Sequence, residues 1–178
     1  RSARLAGPGP RADMLSVREL KELTRRLDVP MLERQLGPFV LVQRPTMGAA
    51  KRTEQLTTRP LANPGKPSKG VFDFEDLWVA TLPPLSTRDS FVVGRSPDCD
   101  VVIDEDTVSK SHARIDWVDG EATVSDLGSS NGVFLNTVKL RGTQKLADND
   151  LIALGSVDMF FMLVATLRRR MGIHASAR

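Results

Sequence analysis

From Leu77 to about residue 165 the chain is a succession of short β-type runs separated by turn residues, with no long amphipathic helix between them. Nothing else in the sequence constrains the fold as much. The runs fall near Trp78–Leu82, Phe91–Val93, Val101–Ile103, Ala113–Trp117, Ala122–Ser125, Val133–Leu135, Val138–Leu140, Asp150–Leu154 and Phe160–Val164. The breaks carry residues that turn a backbone: Pro83-Pro84, Ser96-Pro97-Asp98, Asp119-Gly120, Gly128 to Gly132, Asp148-Asn149. Many short strands with regular breaks argue an antiparallel sandwich or barrel.

The amino-terminal part reads differently. Residues 1–12 hold Arg, Ala, Gly and Pro with little to bury, and are expected to be disordered. Residues 13–42 read as a small helical extension. Ser16 and Glu19 fit a capping box, in which each side chain satisfies the other's free backbone N–H. Leu20, Leu23 and Leu27 then recur at helical spacing as one apolar stripe. Asp28-Val29-Pro30 stops that helix and suits the start of a second, on which Leu32 and Leu36 share a face until Gly37-Pro38. Phe39 to Val42 suits a short strand. The unit is too small to bury much alone, so it must dock on the main domain, a partner or another copy. Residues 43–76 read as a flexible linker, and residues 166–178 as a frayed basic tail.

Charge is distributed unevenly. Residues 1–70 carry 14 Lys and Arg against 6 Asp and Glu, residues 71–165 carry 7 against 16, and residues 166–178 carry 4 against none. Two basic flanks thus enclose an acidic middle. An acidic core disfavours duplex binding, which needs a basic face, so nucleic acid is not the expected partner. The 178 residues contain one cysteine, Cys99, so no internal disulfide and no multi-cysteine metal site can form, and no metal or other cofactor is expected. Asp98 and Asp100 beside Cys99 disfavour a thiolate there. The longest apolar stretch, Leu151 to Leu167, is interrupted by Gly155, Ser156 and Asp158 and falls short of the roughly 20 residues a membrane span needs. No membrane association is expected. The amino end is basic and punctuated by Pro8 and Pro10, unlike a signal peptide, so the expected location is the cytoplasm.

Three loops of the β-rich part hold the chemically distinctive residues: Gly94-Arg95-Ser96, Ser109-Lys110-Ser111-His112, and Asp126 to Gly132. Arg95 offers a planar fork of donors suited to phosphate or carboxylate. Ser109 and Ser130 offer hydroxyls, Lys110 a mobile charge, and Asn131 both a donor and an acceptor for a peptide backbone. If the loops meet at one end of a sandwich, they form a small cationic site on an acidic body. Such a site suits one phosphate group on a peptide. The string Gly128-Ser129-Ser130-Asn131-Gly132 also matches the Gly-x-Ser-x-Gly of hydrolases, but that elbow must open a helix, and Val133-Phe134-Leu135 is β-type. No phosphate-binding loop of the Gly-Lys-Ser/Thr kind appears, and the chain is not expected to be an enzyme.

These residues resemble the forkhead-associated (FHA) domain, a phosphothreonine-binding family. The resemblance rests on Gly94-Arg95, Ser109-Lys110-Ser111-His112 and Ser129-Ser130-Asn131-Gly132, followed by Val133-Phe134-Leu135-Asn136. Leu146, Asp148, Asp150, Ile152 and Gly155 continue it, with Asn149 where the family usually has Gly. It covers residues 77–165. It implies an eleven-stranded β-sandwich that recognises its ligand with the loops at one end. It implies phosphate contacts from Arg95, Ser109 and Ser130, assistance from Lys110, and a main-chain contact from Asn131. It implies that Gly94, His112 and Gly132 shape the loops. His112 begins a strand, and its ring is expected to bond a neighbouring loop.

The function expected is therefore a phosphothreonine-dependent interaction module, a signalling adaptor downstream of Ser/Thr kinases. A phosphorylated partner protein is the first candidate ligand. A second is the chain's own linker, where Thr53, Thr57 and Thr58 sit on a flexible tether beside the site. The alternative is a scaffold that assembles without phosphate through the Leu20, Leu23 and Leu27 face.

Overall fold

The computed structural model describes residues 14–24, 31, 34, 36–43, 74–80 and 89–172. Twelve strands among them form two sheets. The seven-stranded sheet has the order β1 (Met14–Ser16), β3 (Trp78–Ala80), β2 (Phe39–Gln43), β12 (Val157–Leu163), β11 (Leu151–Leu154), β8 (Val133–Leu135), β9 (Val138–Lys139). The five-stranded sheet has the order β10 (Gln144–Leu146), β7 (Glu121–Asp126), β6 (Ala113–Val118), β4 (Ser90–Gly94), β5 (Val101–Val102). Every pairing is antiparallel except the two-residue match of β4 with β5. The two sheets face each other over one core, so the fold is the expected sandwich and not a closed barrel.

That core interleaves alternate residues from both sheets, as the two-residue period of a strand requires. Phe39, Leu41, Val133, Ile152, Leu154 and Phe161 come from one sheet, and Phe91, Val93, Ile115 and Val124 from the other. Phe39 is the hub: its ring meets Phe91 edge-on at 5.8 Å, Phe161 at 4.9 Å and Trp117 at 5.5 Å.

A second apolar cluster covers the outer face of the larger sheet. Val40, Val42, Val79 and Met162 lie there beneath Val17 and Leu20 of α1 (Val17–Thr24) and Val164 and Leu167 of α2 (Val164–Arg170). Strand β2 is therefore buried on both faces, which accounts for its unbroken apolar run Phe39-Val40-Leu41-Val42.

The sequence left open where residues 13–42 dock. The structure hydrogen-bonds β2 between β3 and β12, and β1 onto β3. The capping box forms: Ser16 Oγ accepts the Glu19 N–H at 3.2 Å, and a Glu19 carboxylate oxygen accepts the Ser16 N–H at 2.9 Å. The backbone bond from Ser16 and then its hydroxyl lower the Glu19 carboxyl below its usual range.

The apolar stripe differs from expectation. Val17, Leu20 and Thr24 face inward, whereas Leu23 is 53% exposed. Leu27 lies outside the described residues. Both stripes obey helical spacing and share Leu20, so periodicity alone does not choose between them. The sheet does, because Val40 and Val79 lie on the Val17 side.

The carboxyl end also differs. Residues 164–170, expected largely as tail, form α2, because Leu167 and Met171 recur on one face and complete the outer cluster. Arg168, Arg169 and Arg170 occupy its last turn, where cations complement the helix dipole. Among the described residues, no helix is long and apolar enough to cross a membrane.

Candidate functional site

The three loops emerge from β4, from the stretch before β6, and from the connection of β7 to β8, so strand pairing already brings their bases together. Val93 pairs with Ala113, and Ala113 with Asp126. Backbone bonds then knit the tips. The Arg95 N–H donates to Ser109 O at 2.9 Å and the Ser96 N–H to Lys110 O at 3.0 Å.

Gly94 is required by this approach and not by its dihedral angles. A Cβ built there would stand 2.3 Å from the Lys110 carbonyl oxygen. The Cys99 thiol donates to the same oxygen at 3.0 Å. Burial pushes that thiol's pKa up, and Asp100 and Asp98 add to the effect, which disfavours the thiolate at this buried position.

His112 is fully buried and joins two of the loops. Its Nδ1 accepts the Ser109 N–H at 2.9 Å, and its Nε2 lies 3.2 Å from Gly132 O. Because Nδ1 accepts, the ring carries its proton on Nε2 and donates it to the carbonyl.

The third loop is stapled by Asp126, which the sequence reading did not single out. One carboxylate oxygen accepts the Ser129 N–H at 2.8 Å and the other the Val133 N–H at 3.3 Å. Burial opposes the charge on Asp126, but the Ser129 and Val133 bonds outweigh it and hold the carboxyl below its ordinary range. Gly128 and Gly132 supply φ values of 80° and 78° on either side of the turn.

The polar side chains converge on this frame. The Ser130 N–H donates to Ser109 Oγ at 3.0 Å, which fixes the hydroxyl and leaves its proton available to an acceptor outside. Asn131 Nδ2 donates to Thr107 O at 2.7 Å. Arg95 is half-buried, and its Nε donates to Val108 O at 3.2 Å, which anchors the guanidinium by one edge. Among the described residues, its outer edge pairs with Asp106, with Nη1 3.9 Å from a fully exposed carboxylate. An ion pair this loose and wet holds the arginine only weakly against a stronger anion. Lys110 and Ser130 are exposed beside it. Arg95, Ser109, Lys110, Ser130 and Asn131 thus share one end of the sandwich. Thr53, Thr57 and Thr58 lie outside the described residues.

A family model described as FHA domain matches residues 91–155, the stretch that carries all three loops. These residues belong to the FHA domain family. Among curated relatives, the oxoglutarate dehydrogenase inhibitor of Corynebacterium glutamicum is 36% identical over 78 residues, 44% of this chain and 54% of its own length. The glycogen accumulation regulator GarA of Mycobacterium tuberculosis is 35% identical over 69 residues, 39% of this chain and 42% of its own. The chain therefore spans about half the length of the curated relatives it matches. Among solved structures, the FHA domain of the CT664 protein from Chlamydia trachomatis aligns at 22% identity and TM-score 0.47, over 71% of this chain and 97% of that one. EmbR of Mycobacterium tuberculosis aligns at 32% identity and TM-score 0.42, over 45% of this chain and 21% of its own.

The FHA match begins within β4 and ends before β12. The helices and the strands β1 to β3 that complete the sandwich come from outside it.

Proposed function

We propose that the FHA domain captures phosphothreonine peptides and that the chain acts by binding, as a signalling adaptor downstream of Ser/Thr kinases. The observation that carries this is the anchored but unsatisfied pair at the loop tips. Arg95 is held by its Nε with its outer donors turned to an exposed, weakly held carboxylate, and Ser109 Oγ is fixed by the Ser130 amide with its proton free. A phosphate dianion offers acceptors to both, and hydrogen bonds to a charged group contribute about 1.5–3 kcal/mol each. In this reading Arg95, Ser109 and Ser130 hold the phosphate, Lys110 adds charge, and Asn131 takes the peptide backbone. Gly94, His112 and Gly132 keep the loops in place.

The scaffold alternative has less to rest on, because Leu20 of the proposed assembly face is only 3% exposed within this fold. Relatives named as an inhibitor and a regulator are in keeping with action by binding. The linker threonines Thr53, Thr57 and Thr58 are a candidate ligand in cis. A ligand carried on the same chain is presented at a high effective concentration, so even a weak site would fill.

Fluorescence anisotropy with one peptide in phosphothreonine and threonine forms tests the reading. Binding should require the phosphate, and it should strengthen as pH rises through about 6, where the phosphate takes its second charge. Equal binding of the two forms would refute it. Mass spectrometry after treatment with a Ser/Thr kinase tests the cis ligand. Unmodified Thr53, Thr57 and Thr58 would end it.

A further inference from the structure

Beside the FHA loops, at the open edge of the sandwich, lies a groove of about 460 Å³ lined by Leu135, Val138, Lys139, Leu140, Arg141 and Gln144. It sits where the two sheets end, on β9 of one and β10 of the other. Its wall is mixed and open: Val138 is 70% exposed and Leu135 half-buried, beside Lys139, Arg141 and Gln144. Its charge is opposite to that of the body. Residues 71–165 contain 7 Lys and Arg against 16 Asp and Glu, yet Lys139, Arg141 and Lys145 fall within one short stretch. Glu121 pairs with Lys145, while none of the described carboxylates pairs with Lys139 or Arg141.

Lys139 links the groove to the third loop. The β8–β9 hairpin turns at Asn136 and Thr137, with φ values of 48° and 76°, and folds Lys139 back against the third loop. A Cβ built on Gly132 would stand 2.6 Å from Lys139 Cε and 3.2 Å from its Nζ, so the lysine arm lies across the residue next to Asn131.

Resting on the phosphothreonine reading, we infer that this groove receives the flank of the same phosphorylated partner, a segment bearing acidic and apolar side chains. Lys139 and Arg141 meet the acids, and Val138 and Leu135 meet the apolar groups. The outer edge of β9 has no neighbouring strand among the described residues, so an extended segment can bond its backbone there. The chain's own amino-terminal segment has the wrong charge for this role, with 14 Lys and Arg against 6 Asp and Glu in residues 1–70. The occupant is therefore another protein.

Calorimetry on the full chain with two phosphothreonine peptides tests this. One carries Asp and Leu on both flanks, the other Asn and Leu. The acidic, apolar peptide should bind about fivefold more tightly, as expected for exposed charge pairs worth near 1 kcal/mol together. The double variant Lys139→Gln, Arg141→Gln should lose that preference and bind the neutral phosphopeptide within about twofold of the parent. Equal binding of both peptides by the parent chain, or a preference that survives the double substitution, would overturn the inference and leave the phosphothreonine reading intact. Failure of both phosphopeptides to bind would overturn that reading and the inference with it.

Discussion

At the scale of single residues, the site depends on close approaches that admit little change. Gly94→Ala drives a methyl group against the Lys110 carbonyl oxygen, which the same loop uses to accept Ser96 N–H. Overpacking of this kind costs about 1–3 kcal/mol, read as a lower denaturant midpoint, and the displaced loop carries Ser109 and Lys110 with it. Arg95→Ala removes donors and no packing frame. It should leave the fold intact and weaken phosphopeptide binding by roughly tenfold or more in a calorimetric titration, with Ser109→Ala less severe.

Asp126 adds a pH dependence. Its carboxyl ionises more readily in the folded state than at the unfolded value of 3.8. Its stabilising effect is thus complete above that value and is lost as pH falls through the lower folded value. Denaturant unfolding followed from neutral pH into acid should show Asp126→Asn with a flatter decline than the parent chain. An unchanged acid limb would mean that the staple contributes nothing. Sequence reasoning passed over Asp126, although an Asp at the head of a glycine-bearing turn is well suited to accept the turn's free N–H groups. No such mark points to Lys139, which reaches Gly132 only because a two-residue turn folds the hairpin back.

At the scale of elements, the strands from β3 to β9 and β11 to β12 were legible because alternation and turn residues are local signals. Strand β10 was not, since Gln144 and Lys145 face solvent and leave only Leu146 to bury. The place of β2 was not legible either. Its run of apolar residues announces a buried strand, but its partner β12 lies more than a hundred residues away, beyond the linker. That distance hides its importance, because Phe39 sits among Phe91, Trp117 and Phe161. Phe39→Ala should cost about 3–5 kcal/mol by chemical denaturation. A loss under about 1 kcal/mol would mean that residues 39–43 are peripheral to the fold.

At the scale of the whole molecule, the basic amino-terminal segment and the acidic middle meet. Arg18 donates to Asp76 at 2.9 Å and Lys21 to Glu75 at 2.6 Å, so part of the charge asymmetry is spent within the fold. What remains is an acidic body with Arg95 and Lys110 at the end where three loops gather. An NMR titration of the labelled chain with a phosphothreonine peptide tests that convergence most directly. The account predicts that the largest amide shifts fall together at Arg95, Ser109, Lys110, Ser130 and Asn131, and that the unphosphorylated peptide moves none of them. Shifts confined to one loop or centred elsewhere, or the same shifts without the phosphate, would contradict it.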